Sequence, residues 1–245
     1  AQGDVSFEGV TCSVAAMTNG SNGIAGGLVG KATGTLAIDG CETCGPVSGM
    51  KAAGGMVGYA VDCDLSMHAS RNYLDFANPS TNTGLVRAGG VGDNAGNAGG
   101  LVGLCEAESA TTPPSITISA CGNTGTVSAY AAGGGLVGAN SGCKLTISNC
   151  FSAAENDREF TVVGAPAGGK TYLGGIVGQT QGGLYRLAIT NTYSASLMGK
   201  QSQADGTVTV GGMVGLAGTG EEGCEIRIGN CYFRGDAAGN WTGEQ

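Results

Sequence analysis

Four aspartates and two arginines share one stretch of the chain: Asp62, Asp64, Asp75 and Asp93, with Arg71 and Arg87 among them. Paired carboxylates can cleave glycosidic bonds as acid, base or nucleophile, and carboxylates with calcium and a basic residue suit a polysaccharide lyase. These aspartates recur at no fixed interval, so solvated loop charge is the favoured reading. The single histidine is His68. A zinc peptidase needs two histidines one helical turn apart, which one histidine cannot supply. A Ser-His-Asp or Cys-His arrangement would also have to use His68, and no nucleophile elbow accompanies it. No catalytic, cofactor-binding or metal residue is therefore assigned.

Other short words carry little chemistry. Gly89-Gly90-Val91-Gly92-Asp93-Asn94 resembles a calcium-binding nonapeptide, but its aspartate comes one position early and it occurs once. Cys41-Glu42-Thr43-Cys44 is the one C-x-x-C, with no second pair for zinc. Arg234-Gly235-Asp236 spells an integrin-recognition word that turn chemistry explains. Glu221-Glu222 and Glu155-Asn156-Asp157 read as acidic loops. The net charge of −8, with 11 Lys and Arg in no cluster, excludes a nucleic-acid partner. No apolar run reaches the roughly 20 residues of a membrane helix.

The elements that hold these residues follow from a repeated word. Gly-Gly-(Leu/Met/Ile)-Val-Gly occurs at 26–30, 54–58, 99–103, 134–138, 174–178 and 211–215, at intervals of 28 to 45 residues. A recurring word at that spacing marks a repeat architecture. After each copy comes an alternating stretch: Leu36-Ala37-Ile38, Leu65-Ser66-Met67, Ile116-Thr117-Ile118, Leu145-Thr146-Ile147, Leu187-Ala188-Ile189 and Ile226-Arg227-Ile228. Alternation marks a strand with one buried face. Three residues past its second apolar position stands a small residue: Cys41, Ser70, Cys121, Cys150, Thr192 or Cys231. A third short stretch follows, such as Thr126-Val127-Ser128. Three short strands per repeat, few helix signals and 49 glycines predict one all-β domain over 1–245. It is a right-handed parallel β-helix of about six to seven coils. Val5-Ser6-Phe7 is read as the strand of a degenerate first coil, and Trp241 as a cover for the last. Leu-Val of each word is read as a short strand. Its glycines serve either as positive-φ corners or at close approaches between coils.

Cys41, Cys121, Cys150 and Cys231 share one repeat position; Cys63, Cys143 and Cys224 share another. Cys143 and Cys150 are seven apart, as are Cys224 and Cys231, and an extended segment of that length spans about 20 Å, beyond disulfide reach. Bridges between adjacent coils stay open as an alternative to buried free thiols, which the pattern favours.

The glycine word, a loop, an alternating strand and then Asn-(Cys/Thr)-(Tyr/Phe) resemble the GLUG motif, best at 134–151, 174–193 and 211–232. Six copies over 26–235 carry the resemblance; the first two lack the aromatic. The motif occurs in bacterial immunoglobulin A peptidases and in adhesin-like surface proteins of host-associated bacteria. The resemblance implies an extracellular or cell-surface bacterial protein with further domains. The expected function is a non-catalytic adhesion, display or stalk role. Its candidate partners are a host glycan or an extracellular protein. The alternatives are a β-helix enzyme degrading polysaccharide and the non-catalytic repeat region of an immunoglobulin A peptidase.

Overall fold

The computed structural model describes residues 2–13, 15–73, 84–89, 96–108, 112–153, 161–182, 186–201, 205–218 and 225–234. Among them are strands and turns but no helix, and the strands form four sheets. One rung shows the plan. Val57–His68 lies in a broad 11-stranded sheet, Arg71–Asn72 in a second of seven strands, Val86–Ala88 in a third of six and Asn97–Gly99 in a fourth of six. Val102–Glu106 then re-enters the broad sheet one rung further on and pairs with Val57–His68 in parallel. The sheets continue rung on rung in parallel register, as in Val86↔Val127, Asn97↔Ala132 and Leu145↔Leu187. The chain is a parallel β-helix.

Register turns the sequence alternation into ladders. Leu36, Leu65, Ile116, Leu145, Leu187 and Ile226 stand opposite one another, as do Ile38, Met67, Ile118, Ile147, Ile189 and Ile228. Except in the last strand, Glu225–Gly229, these side chains are buried. Burying each contributes about 1.5–3 kcal/mol, which rung-to-rung contact alone makes available. Val5 and Phe7 lie in Gln2–Glu8, opposite Leu36 and Ile38, as the alternation predicts.

Two features differ from the sequence expectation. Each rung carries four sheets rather than three strands, because the second sheet uses strands of only two or three residues, too short for a period to register. The Leu-Val pair is also not a strand of its own. The word's first glycine closes a fourth-sheet strand, the next two residues bend, and its valine opens the broad sheet. Trp241 lies outside the described residues.

Candidate functional site

The bends between sheets decide where side chains go. At the glycine word the cause is space, not a left-handed backbone, since none of its glycines has positive φ. A Cβ on Gly54 would sit 1.9 Å from the Val57 carbonyl oxygen and 2.7 Å from the Gly103 nitrogen. On Gly55 it would meet the Gly100 oxygen at 2.0 Å and the buried Asn72 side chain at 2.7 Å. Of the two roles expected for these glycines, close approach is the one observed.

Positive φ occurs instead at the opposite bend, where the broad sheet ends. Gly9, Gly40, Ala69, Ala120, Asn149, Asn191 and Asn230 all adopt it there, between 48° and 61°. After all but Gly9, which Val10 follows, the next residue is the small one noted in the sequence. Its hydroxyl or thiol donates to the carbonyl two residues back: Ser70 to His68 at 2.7 Å, Cys121 to Ser119 at 3.1 Å, Cys150 to Ser148 at 3.1 Å, Thr192 to Thr190 at 2.8 Å. The same atom accepts the N–H of the equivalent residue one rung before. Cys41 N–H reaches Ser70 Oγ at 3.0 Å, Ser70 N–H reaches Cys121 Sγ at 3.4 Å, Cys121 N–H reaches Cys150 Sγ at 3.4 Å and Cys150 N–H reaches Thr192 Oγ1 at 3.3 Å. The position needs a small side chain that both donates and accepts, which is why cysteine, serine and threonine interchange there. All nine described cysteines are free thiols, and Cys224 lies outside the described residues. Burial, with the Asp64 carboxylate, pushes the Cys63 thiol up to about 11; burial, with Asp62, pushes Cys143 up to about 12. Burial holds Cys105 well above the ordinary range as well. These thiols stay protonated and unreactive at neutral pH.

The residues singled out for catalysis do not converge. Asp62 Oδ1 accepts the Glu108 N–H at 2.9 Å, and Asp64 Oδ1 accepts the Ser115 N–H at 2.7 Å. Arg71 is paired with Glu42 at 2.6 Å, and Arg87 donates to Tyr130 Oη at 3.2 Å. His68 lies exposed at the end of its strand, its Nδ1 2.9 Å from Asp39 Oδ1. Each of these contacts, that of Arg87 included, joins neighbouring rungs. Asp75, Asp93, Glu155, Asp157, Glu221, Glu222, Gly235 and Asp236 fall outside the described residues, as does the nonapeptide-like word beyond Gly89. Among the described residues no group of three metal-ligating side chains forms. No described helix is long and apolar enough to cross a membrane.

Two clusters escaped the sequence reading. Tyr59 is buried on the outside of the bend between the fourth and broad sheets, packed with Ala52, Leu104 and Ala139. Its hydroxyl donates to Glu106 and lies 3.3 Å from Glu108, while Lys51 Nζ sits 4.4 Å and Lys31 Nζ 5.3 Å from its ring centre. Burial, then the carboxylates, push the phenol pKa up, so Tyr59 keeps its proton and holds the two glutamates in place. Lys31, Tyr59 and Leu104 belong to three successive rungs, so only the register brings them together. The second cluster is an open groove of about 400 Å³ on the outer face of the broad sheet, lined by Ser115, Lys144, Thr146, Arg186, Ala188 and Arg227 among others. Its residues are the polar halves of the alternating stretches, which the repeat reading treated as solvent-facing.

Compared with known proteins, the chain matches no family model, no curated protein and no solved structure.

Proposed function

We propose that this chain is a non-catalytic display and adhesion segment of a bacterial surface or secreted protein. It is a rigid rod whose outer faces contact a glycan or an extracellular protein, as the GLUG-like repeats suggest. The observation that carries the reading is the use of the charged candidates. Asp62, Asp64, Arg71 and His68 each brace one rung against another, so they act as fasteners of the rod rather than as a reacting set. Tyr59, the most buried ionisable side chain outside the thiols among the described residues, is likewise held protonated between two carboxylates and cannot serve as a base at neutral pH. The described interior is filled by apolar and thiol ladders and by hydrogen-bonded amides and hydroxyls of the second sheet, so contact with a partner falls to the outer faces.

The test is a binding screen of the purified chain on an array of glycans and extracellular-matrix proteins, with each spot assayed for loss of material. Saturable binding with intact spots is the expected result. Loss of a polysaccharide spot would overturn the reading in favour of a β-helix hydrolase or lyase.

A further inference from the structure

We infer that the outer face of the broad sheet carries a groove for an acidic polysaccharide, one bearing carboxylate or sulfate groups along an extended chain. The inference rests on the display reading above and locates its contact surface.

Four strands build the groove: Ser115–Ser119, Lys144–Ser148, Arg186–Thr190 and Glu225–Gly229. They are consecutive in the broad sheet and in parallel register, so Ser115, Lys144, Arg186 and Glu225 form one outward row. At about 4.8 Å per rung the row is about 14 Å long. Thr146 and Ala188 stand two residues further along in the next row. Their short side chains leave an open floor beside the cations.

The charges are what set this face apart. Lys144 and Arg186 occupy directly opposed positions on adjacent strands, where like charges repel. Neither has an ion-pair or hydrogen-bond partner for its side chain among the described residues. Of the other described cations, Lys51, Arg71, Arg87, Lys200 and Arg227 each engage a carboxylate, a ring or a carbonyl, and exposed Lys170 stands opposite Thr207 rather than another cation. Glu225 stands opposite Arg186 in the row but pairs with Arg227, so Lys144, Arg186 and Arg227 outnumber the one carboxylate and, on a chain with a net charge of −8, make the groove a local attractor for anions. Arg227 is fixed beside them by Glu225, which orients its guanidinium at the end of the groove. Guanidinium groups match carboxylate and sulfate oxygens two at a time.

The shape selects a polysaccharide over a peptide. The groove is open and runs across the rungs, and its floor offers hydroxyl and methyl groups rather than an apolar pocket to anchor a side chain. Sugar rings laid across the rungs would meet Thr146 and Ser115 hydroxyls while their acidic groups meet Lys144 and Arg186.

The test is calorimetric titration with an oligogalacturonate and a neutral maltooligosaccharide of equal length, at low and moderate salt. Wild-type chain should bind the oligogalacturonate, more weakly as salt rises, and not the neutral sugar. Lys144→Gln with Arg186→Gln should weaken binding at least about tenfold, while Lys170→Gln, an exposed cation on another face, should leave it unchanged. Both groove side chains are exposed, so the double variant should keep the wild-type circular dichroism spectrum. Unchanged affinity in the double variant would overturn the inference. So would equal displacement by polyglutamate of matched charge, which would mean that charge alone is read. If neither oligosaccharide binds but the array shows a neutral glycan or protein ligand, the groove fails and the display reading stands. An array without any ligand would remove both.

Discussion

Gly30 and Gly103 hold the same place in the same five-residue word, yet replacing them with alanine should have opposite consequences. A Cβ on Gly103 would meet the Ala53 oxygen at 2.6 Å, the Gly58 oxygen at 2.6 Å and the Ala53 carbonyl carbon at 2.7 Å. All three are backbone atoms of the preceding rung, held in parallel register, and none can swing away as a side chain could. Relief requires the two rungs to separate by roughly half an ångström, which weakens the ladder bonds at that bend. Overpacking of this kind costs about 1–3 kcal/mol, and each ladder hydrogen bond lost adds about 1 kcal/mol, so a loss of about 3 kcal/mol is expected. At Gly30 the nearest atom to the added Cβ is the Ile24 oxygen at 3.8 Å, an ordinary contact, and its φ is not in the left-handed region. There the substitution should be neutral or should stabilise by about 0.4–1 kcal/mol through the unfolded chain. Urea denaturation followed by circular dichroism separates the cases. Gly103→Ala should move the midpoint well down while Gly30→Ala leaves it in place or raises it. Equal shifts at the two positions would refute the claim that rung-to-rung approach, rather than the word itself, demands glycine.

The corner ladder predicts that Cys121→Ser is tolerated better than Cys121→Val. Valine leaves the buried Ser70 N–H without its partner, at about 1–3 kcal/mol, while the Ser119 carbonyl keeps the Ala69 N–H; equal midpoints for the two variants would contradict the role assigned to the thiol. Alkaline pH should destabilise the fold under reducing conditions. An unfolded thiol deprotonates near about 8.5, whereas folded Cys63 and Cys143 hold their protons to about 11 and about 12. Their contribution is therefore complete below about pH 8.5 and is lost as pH rises toward the folded values. The loss is about 1.4 kcal/mol per pH unit for each thiol. Midpoints measured between about pH 8 and about pH 10 should fall less steeply in a Cys63→Ala, Cys143→Ala variant; an identical slope would count against buried protonated thiols.

The repeat and its β-helix were legible because the interior is built from residues whose register repeats. The word's valine and the Leu/Ile/Met pairs of each alternating stretch recur in register, and a period in sequence becomes a ladder in space. The second sheet was not legible. Its strands are two or three residues long, and it turns Thr43, Asn72, Asn123 and Ser152 inward. There Asn72 Nδ2 donates to Asn123 Oδ1 at 2.9 Å and Thr43 donates to Asn72 at 3.2 Å. Buried amides look like loop residues when only hydropathy is read. The left-handed corner was half visible. Asn149, Asn191 and Asn230 recur before the small residue, and asparagine tolerates that conformation, but Ala69 and Ala120 in the same place carry no such signal. The Lys144–Arg186 pair was hidden for a different reason. Forty-two residues separate the two cations in sequence, and only the register of adjacent rungs makes them neighbours.

The most direct test of the central claim is the length distribution of an acidic polysaccharide after prolonged incubation with saturating chain, read by size-exclusion chromatography alongside a measurement of retention on the immobilised chain. A non-catalytic rod with a groove on its broad sheet should retain the polymer and leave its length unchanged. Progressive shortening at any retention would contradict the account, and would send the search for reacting groups back to the carboxylates around residues 62–93.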